Sequence, residues 1–201
     1  VINVYEGPQA TINKVIIKGN TKTNEHVIRR ELRSLPGTKF SRSDIIRSQR
    51  EIATLNFFDP EQIGINPIPN PSDGTVDIEY SVVEKPSDQL ELSAGWGGST
   101  VVGSVGVSFN NFSLRNITKL DSWQPLPSGD GQKLSLRFQS TGRAFQSVNA
   151  SFTEPWLGGK RPNALTLSVF TSRIFRNFFT NPEPEDRQLQ YITAVSYTHL
   201  R

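Results

Sequence analysis

The chain has 201 residues, enough for one large or two small domains, with 22 Lys and Arg against 19 Asp and Glu and a formal charge of +3. Its basic residues are spread along the sequence, which argues against a dedicated nucleic-acid surface. The absence of cysteine excludes disulfides and thiolate metal sites, and no apolar run approaches the ~20 residues of a membrane-spanning helix, although strand-built membrane barrels escape that criterion.

Residues 10–18, with Thr11, Ile12, Val15, Ile16 and Ile17, predict a strand, punctuated by Gly19 and Asn20. Thr23 is then a candidate cap for a helix carrying Ile28, Leu32 and Leu35 on one face and ended by Pro36-Gly37. Ser41-Arg42-Ser43-Asp44 fits a variant capping box opening a second helix to about Phe57. Its inward stripe is Ile45, Ile46, Ile52, Ala53 and Leu55, closed by Phe57 and Phe58. Residues 63–69 form a short strand whose prolines, Pro67 and Pro69, mark it as an edge. After the turn Asn70-Pro71-Ser72-Asp73-Gly74, residues 75–84 alternate, with Val76, Ile78, Tyr80 and Val82 on one face. The order β-α-α-β-β predicts an α+β module with two helices on one face of a three-stranded sheet.

These residues resemble a known family. Ile16-Ile17-Lys18-Gly19-Asn20-Thr21, Phe40-Ser41, Leu55-Asn56-Phe57-Phe58 and Val82-Val83-Glu84-Lys85-Pro86 are similar, in order and spacing, to a POTRA domain, the periplasmic repeat that precedes outer-membrane assembly barrels. The first domain is therefore placed at residues 1–86, with a core from about residue 10. Lys85-Pro86 breaks its last strand, and Glu84, Lys85 and Pro86 form a candidate hinge.

From residue 88 the period changes to strict alternation. Candidate strands cover residues 90–96, 101–109, 133–139, 147–152, 165–171 and 189–195, the last with Leu189, Tyr191 and Val195 as its apolar side. A soluble β-sandwich gives the same alternation. Three details favour a membrane barrel: apolar faces without charge, strands approaching the roughly 9–11 residues of a tilted crossing, and polar faces rich in Ser, Gly, Asn, Gln and Thr. Trp96, Phe109, Phe112, Trp156 and Tyr197, at strand ends, are candidate interfacial aromatics.

Asn110-Asn111-Phe112-Ser113, Gly129-Asp130-Gly131-Gln132-Lys133-Leu134 and Ser151-Phe152-Thr153-Glu154-Pro155-Trp156-Leu157 resemble the opening strands of the BamA-family barrel. That resemblance implies an incomplete antiparallel barrel segment at residues 88–195, since six strands cannot close when the smallest membrane barrels have about eight. Residues 196–201 resemble translated adapter sequence and are set apart as a candidate non-native tail. The insert between Asn110 and Gln132 has no role that the resemblance supplies.

No catalytic or metal constellation emerges, and neither an enzyme nor a cofactor is expected. His26 and His199 lie in no motif, Glu183-Pro184-Glu185-Asp186 reads as a solvated loop, and Gly158-Gly159-Lys160-Arg161 reads as a turn. Two backbone edges are candidate sites. Ile63, Gly64, Ile65, Asn66 and Ile68 could receive an added strand. Leu90, Glu91, Leu92, Ser93, Ala94, Gly95 and Trp96 correspond to the family's first barrel strand, whose edge can template incoming strands. The resemblance implies a bacterial outer-membrane location with a periplasmic N-terminal module. It also implies unfolded outer-membrane proteins, accessory lipoproteins and the lipid bilayer as partners, and no nucleic acid. A passenger-secreting relative and a soluble sandwich scaffold are the alternatives.

Overall fold

The computed structural model describes residues 9–97, 100–120, 123, 126–142, 145–174 and 187–198. The chain divides into two compact units, Val1–Pro86 and Ser87–Arg201.

The first unit runs β1 (Thr11–Lys18), α1 (Glu25–Arg29), α2 (Arg42–Thr54), a 3-10 turn (Pro60–Gln62), β2 (Gly64–Asn70) and β3 (Thr75–Ser81). Its sheet order is β1-β3-β2, with β1 parallel to β3 and β2 antiparallel. A parallel pair needs a long crossover, and both helices lie within it. One core joins Ile12 and Val15 of β1, Val27 and Ile28 of α1, Ile45 and Ile52 of α2, and Ile78 and Tyr80 of β3. Phe57 and Phe58 close it edge to face, their ring centroids 5.6 Å apart.

Three expectations are corrected here. The first helix is a single turn capped by Asn24, without a side-chain cap bond, and the Thr23 amide is given instead to Glu84 at 2.6 Å. Pro36-Gly37 does not merely end a helix. Gly37 donates to the Ile12 carbonyl at 2.7 Å and Ile12 donates to Thr38 at 2.8 Å, so this segment pairs along the outer edge of β1 and leaves Leu35 exposed. On α2, which begins at the expected Ser41 cap, Ile46 is turned outward and Ser48 is buried in the stripe. Ser48 Oγ donates to the Asp44 carbonyl at 2.7 Å and accepts the Arg33 amide at 2.8 Å, so a hydroxyl is affordable there.

The second unit is one antiparallel sheet of six strands in sequence order. These are β4 (Gln89–Gly97), β5 (Thr100–Phe112), β6 (Gln132–Thr141), β7 (Phe145–Glu154), β8 (Asn163–Ile174) and β9 (Arg187–Thr198). All six share a single sheet, with no second layer packed on it among the described residues, unlike a sandwich. Register separates the faces. Leu90, Val107, Leu136, Ala150 and Val169 form one cross-strand row, and Gln89, Ser108, Ser135, Ser151 and Ser168 form a row on the other face. On the first face Leu90, Leu92, Val105, Leu136, Phe138, Val148, Leu167 and Val169 are all exposed. An apolar face this extensive does not persist against water and marks a lipid or protein contact. On the second face the hydroxyls pair across strands, Ser93 with Ser104 at 2.7 Å and Thr153 with Thr166 at 3.0 Å.

The expected apolar side of β9 is also corrected. Leu189, Tyr191 and Val195 stand opposite Ser172, Phe170 and Thr166, so their register places them on the hydroxyl-rich face. Ala194 and Ile192 take the positions beside Leu167 and Val169.

Candidate functional site

The first candidate is β4. It pairs with β5 alone and leaves its other backbone edge open among the described residues. Leu92 and Trp96 are 70% and 92% exposed on its apolar face. Gly95 has nothing within 4 Å of where a Cβ would stand, so steric room does not explain it; its effect is to loosen the strand. Across the polar face Glu91 meets Gly106 of β5 and Arg137 of β6 in one row. Arg137 reaches over the glycine to form an ion pair with Glu91, linking β4 to a strand it does not touch through its backbone. The same face is concave, with a cavity of ≈410 Å³ lined by Glu91, Lys133, Arg137 and Asn149 among others. Gly98 and Ser99 lie outside the described residues.

The second candidate, around β2, is narrower than the sequence implies. Ile63 is buried in the core and its carbonyl already accepts from Gln49 Nε2 at 3.2 Å, so it is no part of a free edge. Pro67 and Pro69 pair with Ile78 and Val76 of β3, two rungs apart. A proline is tolerated in a ladder with its donorless nitrogen turned away from the partner. That parity turns Gly64, Asn66 and Ile68 toward β3 and Ile65, Pro67 and Pro69 outward. The outer edge then offers three carbonyls but one amide donor, Ile65.

The expected hinge residues are partly locked into the first unit. Glu84 accepts from the Thr21, Lys22 and Thr23 amides at 3.1, 2.9 and 2.6 Å and from Thr21 Oγ1 at 2.5 Å. Burial alone pushes its carboxyl pKa up, but these donors outweigh it and hold the group below its ordinary value. The Lys85 amide donates to the Phe57 carbonyl at 3.0 Å. Gly19, at φ +94°, completes the arrangement: a Cβ there would lie 1.9 Å from the Val82 carbonyl oxygen. The motif pieces around Gly19 and Glu84 therefore meet in one anion-binding nest. Pro86 ends this unit.

A further constellation escaped the sequence reading as a unit, although its pieces were visible as separate motifs. At the end of the sheet where β4 begins, Ser113 Oγ donates to Asp130 at 2.6 Å, and Ser113 and Asp130 are both buried. Gln132 accepts the Leu114 amide at 2.7 Å and donates to Glu154 at 2.7 Å, while Glu154 accepts the Trp156 amide at 3.0 Å. Asn111 Oδ1 accepts from Gly131 at 2.9 Å. This network ties the β5–β6 and β7–β8 connections together. Phe112, expected at an interface, is buried there against Phe152 at 6.3 Å.

Among the described residues no group of three or more His, Cys, Asp and Glu could hold a metal ion. Glu183, Glu185, Asp186 and His199 lie outside the described residues, as does the side chain of Tyr197.

Residues 10–85 match the POTRA family, described as a surface antigen variable number repeat. Over 157 residues, 78% of the chain, the sequence is 31% identical to the outer membrane protein assembly factor BamA of Neisseria meningitidis, of whose length it spans 18%. The crystal structure of BamA from Haemophilus ducreyi lacking POTRA domains 1–3 matches with a TM-score of 0.73 at 20% identity, covering 94% of this chain and 32% of that one. CdiB from Acinetobacter baumannii matches with a TM-score of 0.54 at 14% identity, covering 88% and 31%. Both solved structures share the fold.

Proposed function

We propose that the chain, which matches the POTRA family over residues 10–85 and resembles BamA in sequence and fold, serves in an outer-membrane protein assembly factor that inserts strands of other barrels at the edge of β4. The observation that supports this reading is the exposed apolar face of the sheet, with Leu90, Leu92 and Trp96 of β4 on it, in a chain that resembles BamA in sequence and fold. A strand entering a bilayer has no water to satisfy its amides and carbonyls, and an open strand edge supplies those partners. The work done is pairing and release, with no bond chemistry and no cofactor.

In this reading the first unit stands in the periplasm and the sheet lies in the bacterial outer membrane. The β2 edge receives unfolded outer-membrane proteins or accessory lipoproteins through the Ile65 amide and the carbonyls of Ile65, Pro67 and Pro69. One donor among three rungs makes that pairing weak, as a transfer station requires. The test is folding of a denatured outer-membrane barrel into liposomes carrying the full-length protein. Acceleration over empty liposomes is expected, and an unchanged rate overturns the assembly reading.

A further inference from the structure

The connection between β5 and β6 carries Leu114, Ile117, Leu120 and Trp123, spaced every three residues and all exposed, Leu120 at 79%. Three i to i+3 bonds shape this stretch: Ile117 to Leu114 at 3.4 Å, Lys119 to Asn116 at 3.0 Å and Trp123 to Leu120 at 3.1 Å. These bonds fold the stretch into successive turns from which all four apolar side chains reach the surface.

The loop is held at its base. Ser113 donates its amide to Pro127 at 2.9 Å and its hydroxyl to buried Asp130, and Asn116 Nδ2 donates to the Ser128 carbonyl at 3.1 Å. Presenting four apolar side chains from an anchored loop is costly in water, so a contact must offset it.

We propose that this loop is a membrane foot, resting in the phospholipid interface beside the sheet; the inference builds on the barrel reading above. Three observations select lipid as the occupant. The loop leaves β5 directly after Phe112, whose ring packs against Phe152, and Phe152 stands in register with Leu134 and Leu167 of the apolar face. The loop thus departs from the end of the face assigned to the bilayer. Trp123 spends its only polar donor inside the loop, Nε1 to the Ile117 carbonyl at 3.2 Å, so entering an apolar boundary leaves no indole N–H unpaired. Arg115, Lys119, Lys160 and Arg161 lie in this connection and in the neighbouring β7–β8 turn, against Asp121 and the buried Asp130. Exposed basic groups around an apolar patch suit anionic headgroups.

The test places a spin label on single cysteines at Leu120, at Leu136 and at Asp73 of the exposed β2–β3 turn. The labels sit in the full-length protein, on a cysteine-free background, in phosphatidylethanolamine–phosphatidylglycerol vesicles. At Leu120 the label is expected to be relaxed more by oxygen than by a water-soluble nickel chelate, as at Leu136 and opposite to Asp73. If Leu136 reports lipid while Leu120 reports water, the foot is overturned and the barrel stands. If both report water, the barrel reading fails and the foot with it. A Leu120 label immobilised and shielded from both reagents is packed on protein, which also overturns the foot.

Discussion

Arg137 of β6 pairs with Glu91 of β4 by passing over Gly106 of β5, the residue that stands between them in the register. A Cβ at Gly106 would lie 3.4 Å from Glu91 Oε2 and 3.7 Å from Arg137 Nε, ordinary contact, so alanine fits and a branched side chain does not. The pair is a side-chain clasp on a strand whose backbone, among the described residues, is held from one side. Both groups are more than half exposed, which limits its strength to that of a solvated ion pair, about 0.2–1 kcal/mol.

Glu91→Gln and Arg137→Gln should each loosen β4, the double variant no more than either alone, and the charge swap Glu91→Arg with Arg137→Glu should restore it. Gly106→Val should match the single losses while Gly106→Ala stays near the parent. Amide exchange of residues 89–97 in the full-length protein reads this; independent, additive effects would mean that the pair does not act as a unit.

The Glu84 nest gives a pH dependence. A carboxyl held below its ordinary value of 4.5 stabilises the fold above that value, and the contribution is lost as pH falls through the folded-state value. Glu84→Gln should therefore cost the first unit stability at neutral pH, about 1 kcal/mol for a partly solvated charged acceptor. The gap between variant and parent should narrow in urea unfolding as pH falls below 4.5. A gap that persists in acid would assign the cost to packing instead.

The prolines of β2 make an equally direct prediction. Replacing Pro67 and Pro69 by valine adds two outward amide donors to a strand edge, which should promote self-association. Light scattering of the first unit should show a concentration-dependent dimer or aggregate that the parent lacks. A monomer at all concentrations would mean that the edge is closed by something other than proline.

Much of this was legible in the sequence because two periodicities carry most of the fold. All six strands of the second unit were marked by alternation, and their true bounds only extend the expected ones. The buried row of Val76, Ile78, Tyr80 and Val82 was likewise readable. What failed was what tertiary partners decide. Thr23 looked like a cap until Glu84, 61 residues on, claimed its amide. Leu35 looked like core until residues 37–40 paired along β1. Leu189, Tyr191 and Val195 looked like a lipid face because alternation alone does not say which face is which; that needs the pairing with β8. The network of Ser113, Asp130, Gln132 and Glu154 was invisible as a site because its members come from three separated motifs. Each motif was recognisable, but their convergence is a property of the register.

The central claim, that the β4 edge receives incoming strands, is tested most directly by capture. Cysteines at Leu92 or Ala94 of the full-length protein, set against cysteines at Leu136 and Val148 of the inner strands, would be oxidised while a cysteine-bearing barrel substrate is stalled during assembly. Disulfide-linked substrate is expected at Leu92 and Ala94 and none at Leu136 or Val148. Capture at the inner strands with none at β4 would contradict the claim.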